Sequence, residues 1–222
     1  MTDSISSVLF DLDGTLLDTA PDLGLALNRV LQQEGRDALA PDIIRPHVSM
    51  GASALVTLGF GTNAEQAEHQ RRYQQLLDFY GEQVALASRP FDGIEPLLQH
   101  IETSGIPWGV VTNKPRRYAE ALLTALSLNR RCAVLICPDD VRQRKPDPEA
   151  LLLACTRIAA MPDKAIYIGD HQRDIEAGRR AGMHTVAALY GYIPESEDPY
   201  QWQADFYLSQ PIELIDYLEQ LS

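Results

Sequence analysis

Residues 8–19 read Val-Leu-Phe-Asp-Leu-Asp-Gly-Thr-Leu-Leu-Asp-Thr, and no other stretch constrains the chain as tightly. An apolar run that stops at two acids and a glycine suits a parallel strand, which is buried on both faces and so lacks hydrophobic alternation. Open α/β sheets bind ligands at the carboxyl ends of their strands, which is where Asp11 and Asp13 fall. These acids are two residues apart, so a strand continuing through them would send both side chains to one face. Crowded carboxylates repel, and a bound cation relieves them. Asp-x-Asp alone is common on the loops of acidic proteins; the strand before this pair and Gly14-Thr15 after it set it apart.

Beyond Asp18 the pattern changes. Leu23, Ala26, Leu27, Val30 and Leu31 recur at helical spacing, residues 67–83 read as a second helix, and residues 43–52 read as a turn-prone joint. From residue 90 onward helix and strand alternate, which implies βαβ units. Strands are predicted at 107–112, 133–137, 165–168, 185–189 and 206–208, with helices at 94–103, 118–126, 148–159, 173–181 and 212–221, and Gly182 is a natural C-cap. The expected class is α/β. A Rossmann-like parallel sheet core would comprise residues 1–17 and 90–222, and a small helical cap domain, residues 18–89, would be inserted after the first strand between turns that act as hinges.

Composition narrows the partners. The formal net charge of −12 leaves no basic face to displace counterions from a polynucleotide, so nucleic acid is not expected. A small phosphorylated metabolite is compatible with that charge, because a local cation and a few lysines override the global field. Cys132, Cys137 and Cys155 form no Cys-x-x-Cys pair and read as core packing in a reducing compartment. No run reaches membrane-spanning length and Met1-Thr2-Asp3-Ser4 lacks the features of a leader, so a cytoplasmic protein, monomer or homodimer, with no membrane partner is expected.

Three more strand ends carry chemistry. Thr112-Asn113-Lys114 ends the run that begins at Trp108, and a following helix N-terminus would make it a phosphate cradle. Lys145 lies in Arg-Lys-Pro-Asp-Pro-Glu, extended by the proline after it and just ahead of a helix. Asp170 ends the run 165–169, and Asp174 follows one helical turn later on the same side. Taken with Asp11 and Asp13, these acids suit Mg²⁺, a hard cation that prefers oxygen ligands. Arg173 is a candidate substrate contact, and His171 a weaker one.

In this order, these motifs resemble those of the haloacid dehalogenase superfamily, whose first motif is Asp-x-Asp-Gly-Thr after a buried strand. The resemblance implies a phosphatase in which Asp11 is the nucleophile and Asp13 the acid that protonates the leaving oxygen. Lys145 would neutralise Asp11 and the transferring phosphoryl group. Metal ligands would be Asp11, Asp170, the Asp13 main-chain carbonyl and, through water or a second layer, Asp174. It also implies that the strand carrying Asp11 lies between those ending at Thr112 and Gly169. The insert would close over the site, which puts substrate choice mostly between Arg45 and Ser53, with Arg45 and Ser49 as candidate contacts. A dehalogenase of this fold lacks the second aspartate; a β-phosphoglucomutase-like sugar phosphomutase shares all four motifs and is the alternative reading.

The position of the insert resembles the phosphoglycolate phosphatase subgroup. Residues 110–115, 135–139 with 145–149, and Tyr190-Gly191-Tyr192-Ile193 with Trp202 and Ala204-Asp205 resemble more closely the phosphatases of N-acetylmuramic acid 6-phosphate. His171 departs from the acid or small polar residue that the pattern favours there.

Overall fold

The computed structural model describes residues 5–62 and 65–221; Met1 to Ser4, where no leader is expected, lie outside them. Strand β1 (Ser7–Phe10) is followed by a short strand β2 (Leu17–Asp18). Helices α1 (Ala20–Gln33), α2 (Pro41–Ile44), α3 (Ala52–Phe60) and α4 (Gln66–Glu82) come next, and strand β3 (Arg89–Pro90) brings the chain back. Thereafter come α5 (Ile94–Thr103), β4 (Trp108–Val111), α6 (Arg116–Ala125), β5 (Val134–Ile136) and α7 (Glu149–Arg157). The chain ends with β6 (Ala165–Gly169), α8 (Gln172–Ala181), β7 (His184–Ala188), β8 (Phe206–Leu208) and α9 (Leu214–Gln220).

β1 is buried along its whole length. Val8 and Phe10 join one apolar cluster and Leu9 another, as side-chain alternation requires when helices cover both faces. The sheet runs β5-β4-β1-β6-β7-β8 with every pair parallel, which is the expected α/β class. From β1 the chain moves outward on one side through β4 and β5, then returns on the other side through β6, β7 and β8. The loops after β1 and β6 therefore diverge, and this switch point leaves a crevice beneath them. Asp11 N–H donates to the Ile168 carbonyl at 2.8 Å, which locks the end of β1 against β6.

The helices of the insert bury a separate cluster built from Leu27, Val30, Leu31, Leu55, Val56 and Leu76. β2 and β3 pair antiparallel, with Leu17 opposite Pro90 and Asp18 opposite Arg89, so the outgoing and returning chain form one ribbon. The buried Asp22 carboxylate reinforces this joint by accepting from Ala87 N at 2.8 Å and Ser88 N at 2.9 Å.

Two local expectations change. The joint at 43–52 is the end of α2 followed by a 3₁₀ turn, Arg45–Met50, which stops at Gly51 with φ +88°. α3 was not anticipated from sequence, because its nine residues, Ala-Ser-Ala-Leu-Val-Thr-Leu-Gly-Phe, present no charged face to mark a period. No helix among the described residues is long and apolar enough to cross a membrane.

Candidate active site

Asp11, at the carboxyl end of β1, is 6% exposed. Its Oδ1 accepts from Leu12 N at 2.7 Å and pairs with Lys145 Nζ at 3.0 Å. Lys145 reaches in from the segment before α7 with its side chain fully buried. Its ammonium also meets Asp174 Oδ1 at 2.7 Å, the Tyr167 hydroxyl at 2.7 Å and the Val111 carbonyl at 3.1 Å. Burial works against that charge, but Asp11 and Asp174 outweigh it and hold the Lys145 pKa above its ordinary value.

Asp170 follows β6 directly and Asp174 lies in the first turn of α8. Together with Asp11 they offer three buried carboxylate oxygens, all within 4.8 Å of one another. Burial and the charges of Asp11 and Asp174 push Asp170 up to about 7, although Ser49 Oγ at 2.6 Å and Tyr192 N at 2.9 Å both donate to its Oδ2. Burial likewise raises Asp11, outweighing Lys145. Asp174 Oδ2 is buried without a hydrogen-bond partner among the described residues. One lysine set against three buried acids, with one oxygen unsatisfied, is a costly arrangement by itself. The donor set fits a hard divalent cation. Two glycines admit Asp170 to the cluster: a Cβ at Gly14, where φ is +82°, or at Gly191 would approach its side chain to 2.0 or 2.3 Å.

Asp13 departs from the crowded pair expected from its spacing. The chain turns at Gly14, and the Asp13 carboxylate accepts from Thr19 Oγ1 at 2.5 Å and pairs with Lys114 Nζ at 2.9 Å, outside the three-acid cluster. Each member of the Asp-x-Asp pair thus has its own lysine. Lys114 is held protonated by Asp13 against the opposing effect of burial, and its ammonium lies 4.5 Å from the centre of the Tyr80 ring.

Asp11, Asp13, Thr112, Asn113, Lys114, Ser49 and Arg173 all line one cavity of about 270 Å³ between the sheet and the insert. Arg173 donates to the Ser49 carbonyl, while its Nε is buried without a partner among the described residues. Asn113 Nδ2 donates to the Lys145 carbonyl at 3.3 Å, which joins the β4 end to the lysine segment.

Arg45 does not belong to this group. Its Nη1 binds both oxygens of Asp18, at 3.0 and 2.9 Å, and its guanidinium lies 4.9 Å from the Tyr192 ring centre. The Asp18 charge and the aromatic face hold it at the ribbon, so it lines the hinge instead of the cavity. The expected helix-terminus cradle changes too. α6 begins at Arg116, where the first N–H is taken by Asp139 Oδ2 at 3.0 Å, and Thr112 Oγ1 accepts from Lys114 N at 3.1 Å within the preceding turn.

His171 caps α8: its Nδ1 accepts from Arg173 N at 3.2 Å, and its ring stacks on Trp202 with centroids 6.5 Å apart. Burial and Arg173 push its pKa down to about 4, which keeps the ring neutral and able to accept. The departure at this position is therefore a local capping solution. The three cysteines are unpaired, and burial raises their thiols to between about 11 and 12.

Sequence reasoning missed two tyrosines. Tyr80 faces the cavity from α4, but with Leu76 and Leu77 it reads as an ordinary apolar face. Tyr192 accepts from Thr19 N at 2.6 Å and Ala20 N at 2.9 Å and donates to Asp18 Oδ1 at 2.7 Å, so it caps the start of α1 from the core. In the sequence it stood out only as part of Tyr190-Gly191-Tyr192-Ile193, a segment that carries the family resemblance, with no role assigned to it.

A parallel sheet with its acids gathered at the switch point, beneath a helical insert, defines a class of hydrolase. Residues 8–188 match the haloacid dehalogenase-like hydrolases, and the chain belongs to that family. Similar curated proteins cover nearly all of it. The N-acetylmuramic acid 6-phosphate phosphatase of Pseudomonas aeruginosa is 46% identical over 97% of this chain and 95% of its own length. A phosphoglycolate phosphatase of Xanthomonas campestris is 42% identical over 94% of each. Among solved structures, a predicted phosphoglycolate phosphatase from Haemophilus somnus superposes with a TM-score of 0.86 at 24% identity, covering 98% of this chain and 99% of that one, and shares the fold. The chain is thus an enzyme, a hydrolase in a group of phosphatases.

Proposed function

We propose that the chain is a Mg²⁺-dependent phosphomonoesterase acting on a small phosphorylated metabolite, with Asp11 as nucleophile and an aspartyl-phosphate intermediate. One observation carries the reading: Asp11 sits at the end of the central strand with Lys145 at 3.0 Å, inside a cavity that also holds Asp13 with a lysine of its own.

Asp11, Asp170 and the Asp13 main-chain carbonyl would hold the ion, with Asp174 behind them, and when bound it supplies positive charge against the phosphoryl oxygens. Lys145 offsets the repulsion between Asp11 and the incoming phosphate, so that Asp11 can attack in line. Thr112, Asn113 and Arg173 surround the transferring group, and the free Nε of Arg173 is a ready donor to it. Asp13 protonates the departing oxygen and later takes a proton from the water that hydrolyses the intermediate. Residues 18–89 serve as the cap domain over a core of residues 1–17 and 90–222, and Ser49 and its neighbours exclude bulk water when the cap is closed.

N-acetylmuramic acid 6-phosphate and 2-phosphoglycolate are the substrates to test first, on the strength of the relatives that carry those names. The test is phosphate release from both, with and without Mg²⁺, by wild type and Asp11→Asn. The expected result is Mg²⁺-dependent release that falls by about 10³-fold or more in the variant. Equal activity of the two proteins would overturn the proposal, and turnover only with a sugar bisphosphate activator would favour the phosphomutase reading.

A further inference from the structure

The cavity contains two buried donors with no acceptor among the described residues, Arg173 Nε and the Tyr80 hydroxyl; the Lys114 ammonium beside that hydroxyl can only donate to it. They belong to different parts of the proposed reaction. Arg173 acts on Asp11, at the phosphoryl end. Tyr80 stands beside Lys114 and Asp13, where the leaving group departs.

Tyr80 is held rigidly. It is 1% exposed, its ring lies beneath the Lys114 ammonium, and it packs on Tyr118 with ring centres 5.4 Å apart. Tyr118, also at the cavity, satisfies its own hydroxyl by donating to the Leu77 carbonyl at 3.0 Å. A buried hydroxyl proton without an acceptor is costly, and ordinary core packing is served as well by phenylalanine. Burial pushes the Tyr80 hydroxyl up to about 12, so it is a neutral donor at physiological pH.

The charges around it select the acceptor. Lys114, the cation in contact with Tyr80, is already paired with Asp13 at 2.9 Å, so a carboxylate beside Tyr80 would meet the Asp13 charge while sharing that lysine; Arg144 and Arg173 are the other cations on the cavity wall. A neutral oxygen meets no such penalty.

We infer that Tyr80 is a specificity-determining residue whose hydroxyl donates to a neutral hydroxyl, ether or amide oxygen of the leaving group, so that the site is built for a sugar-like phosphate in preference to a compact carboxylic acid phosphate. This rests on the phosphomonoesterase reading above, and it assigns recognition of the leaving group to α4 of the insert. Tyr73, on the same helix, adds a further ring to that wall of the cavity.

The test compares kcat/KM for N-acetylmuramic acid 6-phosphate with that for p-nitrophenyl phosphate, whose ring offers no such acceptor beside the ester oxygen, in wild type and Tyr80→Phe. The ratio of the two values is expected to fall about fivefold or more in the variant, as loss of one hydrogen bond to substrate implies. Because phenylalanine keeps the ring, the variant is expected to fold, and its melting temperature verifies this. An unchanged ratio, whether both activities drop together or neither does, would overturn the assignment. Asp11→Asn is assayed alongside on p-nitrophenyl phosphate. If that variant loses turnover while the Tyr80→Phe ratio stays unchanged, only the Tyr80 assignment fails; if it retains turnover, both readings fail.

Discussion

Asp11 and Asp13 leave the same strand end and finish in opposite surroundings. Asp11 and Lys145 have side chains 8% and 0% exposed, inside a cluster of acids short of positive charge. Asp13 and Lys114 are 18% and 7% exposed, paired one to one at the boundary with the insert. The first environment suits a group that must stay ionised against a phosphate with outside help. The second holds Asp13 between a lysine and a hydroxyl donor at the cavity wall, the position from which the proposed acid would reach the leaving oxygen. A third pair, Arg45 with Asp18, is 39% and 24% exposed and belongs to the ribbon alone. Burial thus grades three ion pairs that a sequence presents as equivalent charges.

That grading can be broken by removing each cation in turn. Lys145→Met leaves two buried carboxylates uncompensated and is expected to cost about 3–5 kcal/mol in the metal-free protein. In thermal unfolding this is a fall of about 10 °C. A variant as stable as wild type near pH 8 would contradict the grading.

The cluster also sets a pH dependence. Asp170 has its pKa raised from 3.8 to about 7, so the metal-free folded state binds more protons than the unfolded state across that window. Asp170 therefore contributes a loss of stability in the metal-free protein as pH rises from about 4 to about 7, which His171, lowered from 6.5 to about 4, opposes below about 6.5. A divalent cation competes with those protons, so Mg²⁺ is expected to raise the melting temperature more near pH 8 than near pH 5, by an effect on the order of 2 kcal/mol. Equal stabilisation at both values would break the link between the acids and the ion.

Lys114→Met is expected to cost less stability, about 1–2 kcal/mol, because Asp13 keeps Thr19 as a donor and some contact with solvent. Its larger effect should be on kcat. Arg45→Met closes the series at about 1 kcal/mol or less, with little change in KM, since the pair is half exposed and outside the cavity. Should Arg45→Met prove costlier than Lys114→Met by thermal unfolding, exposure would not be what ranks these pairs.

The strand ends were the legible part of this molecule. Asp11 and Asp170 could be placed because a parallel strand buried on both faces ends its apolar run where the ligand crevice begins. Asp174 followed from its place one helical turn after Asp170, and Lys145 came from the family resemblance, since by itself it reads as a solvated lysine. The order of β4, β1 and β6 came from the family resemblance. Arg45 was misplaced because its partner, Asp18, lies 27 residues away and the attraction between them appears only when the ribbon forms. Tyr80 was overlooked because an aromatic beside leucines on a helix gives the same pattern whether its hydroxyl is satisfied or not. His171 looked anomalous because a cap is a property of backbone geometry that a residue type alone does not reveal.

The central claim is that Asp11 becomes phosphorylated. Acid quenching of wild type during turnover of N-acetylmuramic acid 6-phosphate, followed by peptide mass spectrometry, tests it directly. The account predicts one added phosphoryl group on Asp11, none on Asp13, and none in Asp11→Asn. A phosphoryl group on any other residue, or substrate turned over with no phosphorylated protein at any quench time, would contradict it.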